Sequence, residues 1–172
     1  MKLLIVSDNH GWDSVLADLK RRYQGKVNAM IHCGDSEMTA EDPAIAGYTV
    51  VRGNCDSEDR FPNDLLESIE ECRVFVTHGH RYNIKMTLTN LAMKAKETGA
   101  DFVFFGHSHT AGAEMDNDGV LYLNPGSIAL PRGRREKTYA IVNVEKSKID
   151  VRFFDEKHHE VEELACTFKR LC

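Results

Sequence analysis

Five apolar runs of strand length in this chain each end in a short cluster of Asp, Asn, His and Gly. Residues 2–7 (KLLIVS) lead into Asp8-Asn9-His10-Gly11, and residues 27–33 (VNAMIHC) lead into Gly34-Asp35. Residues 48–51 precede Gly53-Asn54-Cys55-Asp56, and residues 72–77 (CRVFVT) precede His78-Gly79-His80. Residues 101–105 precede Gly106-His107-Ser108-His109. Runs without polar alternation read as strands covered on both faces, which demands a sheet with apolar layers on either side. Between the first two runs, Asp13-Ser14 followed by Val15, Leu16 and Leu19 predicts a helix through about Tyr23, with Gly25 as its stop.

The second half changes style. Residues 68–70 and 72–77 read as a strand pair or one bent strand, and residues 87–98 as a helix stopped by Gly99. Asp118-Gly119 is a turn signal before a strand at 120–123, which runs into Asn124-Pro125-Gly126-Ser127. Residues 138–144 and 148–154 alternate as an antiparallel hairpin, whose free edge is expected to pair across a homodimer. Residues 158–171 are expected to form a terminal helix. The chain of 172 residues is expected to be one domain, residues 1–172, with parallel strands first and antiparallel strands later.

Composition narrows the function. A formal net charge of -5 argues against sequence-specific nucleic-acid binding, as does the lack of a basic, aromatic stripe. No run approaches the roughly 18–20 apolar residues of a membrane span, and no signal peptide opens the chain, so a cytoplasmic protein without membrane association is expected. Five cysteines without a CxxC pair fit a reducing compartment.

Ligands of open α/β sheets gather beyond the carboxyl ends of strands. The residues expected there include two carboxylates, an amide and several imidazoles, a donor set suited to Mn, Fe, Zn, Ni or Co. Among other residues, His32 reads as a packed or hydrogen-bonded core histidine, and His158 and His159 as solvent-facing. Trp12 reads as packing on the first helix, and Cys33 and Cys72 as buried apolar residues.

The ordered series DNHG (8–11), GD (34–35), GNCD (53–56), HGH (78–80) and GHSH (106–109), with LNPGS at 123–127, resembles the calcineurin-like metallophosphoesterases. It is most similar to their small single-domain bacterial and archaeal phosphodiesterase branch. That resemblance implies an α/β fold, a four-layer α-β-β-α sandwich of two mixed sheets flanked by helices. It also implies two divalent ions per chain, manganese first, with Ni, Fe, Co, Zn or Mg as alternatives. By motif position, Asp8, His10 and His109 bind one ion, Asp35 bridges both, and Asn54, His78 and His107 bind the other. The implied reaction is hydrolysis of a small phosphodiester, nucleotide-derived diesters among the candidates, through in-line attack by a metal-bridging hydroxide.

In this reading Asp35, Asn54, His80 and His109 form the catalytic group, His80 as the extra imidazole facing the phosphate or leaving group. Asn9, Arg132 and Arg134 are candidates for substrate-phosphate contacts. One position departs from the family: many members carry a histidine where this chain has Cys55, and a thiol is a weak hydrogen-bond donor. That leaves the general acid unassigned and favours diesters with good leaving groups. A phosphomonoesterase, or a metal-binding scaffold for protein interaction on the same fold, are the alternatives.

Overall fold

The computed structural model describes residues 1–170. Strand β1 (Lys2–Val6) is followed by helix α1 (Asp13–Tyr23), then by β2 (Ala29–His32) and β3 (Thr49–Val50). Strands β4 (Asp64–Ile69) and β5 (Cys72–Thr77) form a hairpin, followed by helix α2 (Thr89–Thr98), β6 (Phe102–Phe104), β7 (Gly112–Met115) and β8 (Leu121–Asn124). The chain continues through β9 (Thr138–Val144), β10 (Lys148–Asp155) and β11 (Cys166–Lys169).

These strands make two mixed sheets, one of six strands in the order β11-β10-β9-β1-β2-β3 and one of five in the order β4-β5-β6-β8-β7. The apolar runs explain why the sheets stack. Leu3 and Ile5 of β1 face inward with Val74, Val76, Phe102 and Phe104 of the opposite sheet. Leu4 and Val6, on the other face of the same strand, pack under Val15, Leu16 and Leu19 of α1. On the far side, Phe75 and Val103 meet Leu91 and Ala95 of α2. Helix, sheet, sheet and helix are therefore the four layers, and each central strand is apolar on both faces because both are covered.

Three expectations are corrected. Residues 158–170 are not a helix: a short 3-10 turn at Glu162–Leu164 leads into β11, while residue 171 lies outside the described residues. The hairpin of β9 and β10 offers no free edge, because β9 pairs with β1 and β10 pairs with β11. His158 is not solvent-facing; its Nε2 lies 2.7 Å from Asp18 Oδ2 and its Nδ1 3.0 Å from the Tyr139 hydroxyl, tying the C-terminal segment to α1. His159 is exposed.

Candidate metal centre

The carboxyl ends of β1, β2 and β3 meet those of β5 and β6 at one end of the sandwich. Backbone bonds join them: Asp8 N donates to Gly34 O at 3.0 Å, His10 N to Asp35 O at 3.1 Å, and Gly106 N to His78 O at 3.1 Å. Asp8, His10, Asp35, His107 and His109 all have φ between 44° and 65°. Non-glycine residues held in that left-handed region cost on the order of 1–3 kcal/mol each, and such strain concentrates at functional sites.

The side chains converge. Asp8 Oδ1 lies 3.1 Å from His109 Nε2 and 3.9 Å from both His10 Nε2 and His78 Nε2. His78 Nε2 is 3.2 Å from Asp35 Oδ2, and the His10 and His109 Nε2 atoms are 3.4 Å apart. Donor atoms of Asp8, His10 and His109 form one group within 4.8 Å, and those of Asp8, Asp35 and His78 form another. His107 borders the second group, its ring 5.1 Å from that of His78. Asn54 is exposed on the loop after β3, its amide nitrogen 3.3 Å from the Sγ of Cys55, whose backbone N–H donates to Asp35 Oδ1 at 2.8 Å. All seven sequence-selected ligand positions therefore lie at one end of the fold.

The ring nitrogens turned away from the centre are held by acceptors. His78 Nδ1 is 2.7 Å from Cys33 O, His109 Nδ1 2.7 Å from Leu130 O, and His10 Nδ1 2.6 Å from Glu37 Oε1. Such outward bonds fix the ring and leave Nε2 as the inward donor. Burial, with the neighbouring His78 next in weight, holds His107 down to about 4, so it is a neutral imidazole at ordinary pH. Burial works against the Asp35 carboxylate, but His78 and the Cys55 backbone N–H outweigh it and hold its pKa well below the usual range.

The sequence reading gave no role to Asp56 or Glu37. Buried Asp56 accepts four hydrogen bonds, from the backbone N–H groups of Asp35, Glu37 and Gly53 and from Ser36 Oγ, at 2.6–3.1 Å. It staples the loop after β2 to the loop after β3. Asp56 did stand within the GNCD cluster, but nothing in the sequence showed that the two loops touch.

The family follows from comparison with known proteins. Residues 1–147 match the model of the calcineurin-like phosphoesterase superfamily domain. The chain belongs to that superfamily. It is 46% identical over 164 residues to the probable metallophosphoesterase YsnB of Bacillus subtilis (strain 168), covering 95% of this chain and 96% of that one. A conserved predicted phosphoesterase from Streptococcus pneumoniae superposes with a TM-score of 0.95 at 35% identity, over 98% of this chain and 97% of that one. Vps29 from Entamoeba histolytica, crystallised with zinc, shares the fold at a TM-score of 0.73 and 17% identity, over 98% of each chain. Metallophosphoesterases use divalent metal ions, and the centre of this one fits them on its own chemistry. Asp8 Oδ1 and His78 Nε2 are buried and make no well-aligned hydrogen bond; their nearest polar neighbours, His109 Nε2 at 3.1 Å and Asp35 Oδ2 at 3.2 Å, belong to the same donor groups. Orphaned polar atoms are costly in a folded core, and a cation satisfies both at once.

Around the centre of this phosphoesterase the substrate candidates separate. Asn9 is buried, with its amide nitrogen on Trp12 O and Met38 Sδ and its oxygen 2.8 Å from His32 Nε2, which turns it away from any phosphoryl group. His32 is the hydrogen-bonded core histidine expected from its place in a strand. Arg134 turns toward Glu136 and Glu163, at 3.9 and 3.7 Å, rather than toward the centre. Arg132 stays beside it, its backbone N–H donating to His109 O at 3.0 Å. His80 packs against both His78 and His107, with ring centroids at 5.4 and 6.1 Å. Cys55 is exposed at the mouth, and burial of its sulfur together with the Asp35 carboxylate pushes its thiol up to about 11. Among the described residues no helix is long and apolar enough to cross a membrane, and Cys33, Cys55, Cys72 and Cys166 are free thiols.

Proposed function

We propose that this protein hydrolyses small phosphodiesters at a centre holding two divalent metal ions. The observation that carries the reading is the set of overlapping donor groups, Asp8 with His10 and His109, Asp8 with Asp35 and His78, and Asp35 with His10 and Cys55, which crowd two carboxylates and three imidazoles into one buried place. Asp8, His10 and His109 would hold one ion, Asn54, His78 and His107 the other, with Asp35 between. Bound divalent ions supply activation of water and neutralisation of phosphoryl charge. Hydrolysis adds water across one P–O bond and releases an alcohol and a phosphomonoester.

The rest of the work falls to the chain. Outward hydrogen bonds to Cys33 O, Leu130 O and Glu37 hold three imidazoles in place before substrate arrives, so orientation is prepared in advance. His80, with Nδ1 buried and without a hydrogen-bond partner and its ring against His78 and His107, is the nearest imidazole not assigned to a metal. Cys55 remains a neutral thiol at ordinary pH and donates weakly, which supports diesters whose leaving group needs little protonation.

The test is turnover of bis(4-nitrophenyl) phosphate and of 4-nitrophenyl phosphate by purified, metal-stripped and manganese-restored protein. Diesterase activity should vanish on stripping, return with metal, and be lost in Asp35→Asn and His78→Ala. Faster turnover of the monoester would move the substrate class. Activity that survives both stripping and the two substitutions would refute the reading.

A further inference from the structure

Beside the metal centre, on the His107 and His109 side, runs a groove of about 650 Å³. Its floor is apolar, formed by Ile84, Leu88, Phe105 and Tyr122. Its rim carries two cations, Lys85 from the turn before α2 and Arg132 from the loop after β8. Glu114 of β7 is the one carboxylate in the lining, so the wall is net positive in a chain of net charge -5.

The groove is continuous with the centre. Ser108, which lines it, sits between His107 and His109 and is held by Asn124 Nδ2 at 2.9 Å. Arg132 is bonded through its backbone to His109. Among the described residues neither the Lys85 nor the Arg132 side chain has an ion-pair partner, a state they share with Arg81, Arg135, Lys26 and Lys96, so it is their place over the apolar lining beside the centre that sets them apart. Two unpaired cations over an aromatic and aliphatic floor, next to a phosphate-handling centre, form a recognition site rather than a solubilising surface.

We infer that this groove binds one ester arm of the substrate, and that this arm carries a flat apolar ring and a second anionic group gripped by Lys85 and Arg132. The inference rests on the phosphodiester reading above and names the substrate class more closely. A simple alkyl diester would leave the floor uncovered and both cations unused.

Three diesters with a shared 4-nitrophenyl leaving group test it, the second arm being ethyl, phenyl or 4-carboxyphenyl. The manganese-loaded wild type should prefer 4-carboxyphenyl over phenyl over ethyl, mainly through KM. In Lys85→Ala and Arg132→Ala the ratio of kcat/KM for the 4-carboxyphenyl to the ethyl diester should fall by about tenfold or more, the size of a lost charged contact. Arg132→Lys should recover part of that ratio. Calorimetric binding of 4-carboxyphenylphosphonate against methylphosphonate, on the same proteins, gives a readout independent of turnover.

A ratio and a binding preference that both variants leave unchanged, in an enzyme that hydrolyses all three diesters, overturn the groove assignment and leave the phosphodiesterase reading standing. Binding that depends on Lys85 and Arg132 without hydrolysis of any diester keeps the groove and removes the reaction. Neither binding preference nor turnover overturns both.

Discussion

Gly53 precedes Asn54 on the loop after β3, and its backbone lies against Asp35. A Cβ at this position would sit 2.0 Å from Asp35 Oδ1, 2.3 Å from Asp35 N and 2.7 Å from Asp35 Cγ. Ordinary contact begins at 3.4 Å, so Gly53→Ala forces a separation of about 1.4 Å between the two loops or between the methyl and the carboxylate. The obstacle is partly backbone, and both loops are tied to Asp56, so rotation of one flexible side chain cannot relieve it. Overpacking of this kind costs about 1–3 kcal/mol of stability. Displacing a positioned group by about 1 Å costs roughly a hundredfold in rate, and disturbing the supports of a metal ligand costs about 10–100-fold in affinity. Gly53→Ala should therefore remain folded, with a lower Tm, and bind manganese about 10–100-fold more weakly in competition with a chelator. Gly112 supplies the control: a methyl group there would have nothing within 4 Å, so Gly112→Ala should change affinity little. Wild-type affinity and activity in a folded Gly53→Ala protein would refute the placement of Asp35 against this loop.

Three further outcomes follow from other parts of the molecule. Asp56→Asn keeps the volume but removes acceptors from a carboxylate that takes four hydrogen bonds; it should lower stability by about 1–3 kcal/mol and weaken manganese binding, and urea titration with chelator competition would show both. Burial, ahead of neighbouring carboxylates that oppose it, lowers His32 to about 4 from an ordinary value of 6.5, so the unfolded chain takes up that proton first as pH falls. Its stabilising effect is complete above about pH 6.5 and is lost as pH falls toward 4, the loss reaching about 2 kcal/mol at pH 5. The metal-free wild type should accordingly lose about 2 kcal/mol more between pH 7 and 5 than His32→Gln does; equal losses would contradict it. His158→Ala removes contacts to Asp18 and Tyr139 and should cost about 1 kcal/mol, read as a shifted urea midpoint with unchanged slope.

The covered strands and the polar clusters that follow them were legible in the sequence because burial on both faces leaves a signal in every residue. KLLIV and FVF contain no position free to be polar beyond the first lysine, so their location and their ends were plain. Strands β4 and β11 left weaker marks: each is an edge strand with exposed alternate positions, and CTFK alone does not separate a strand from a helix turn. The positions that converge at this end of the sandwich were legible because each follows a strand directly. Their supports were not. Glu37 reaches His10 and Asp56 gathers three N–H groups only because two loops distant in sequence fold together, and no local pattern encodes that contact. Asn9 illustrates the converse, since a residue within a motif can face inward and serve His32 rather than a ligand.

The most direct test of a two-ion centre is a crystal structure of the manganese-loaded protein with anomalous scattering measured above and below the metal edge. The expected result is two anomalous peaks per chain, one contacted by Asp8, His10 and His109, the other by Asn54, His78 and His107, with Asp35 between them. A single peak, or none, in a crystal grown with excess manganese would contradict it.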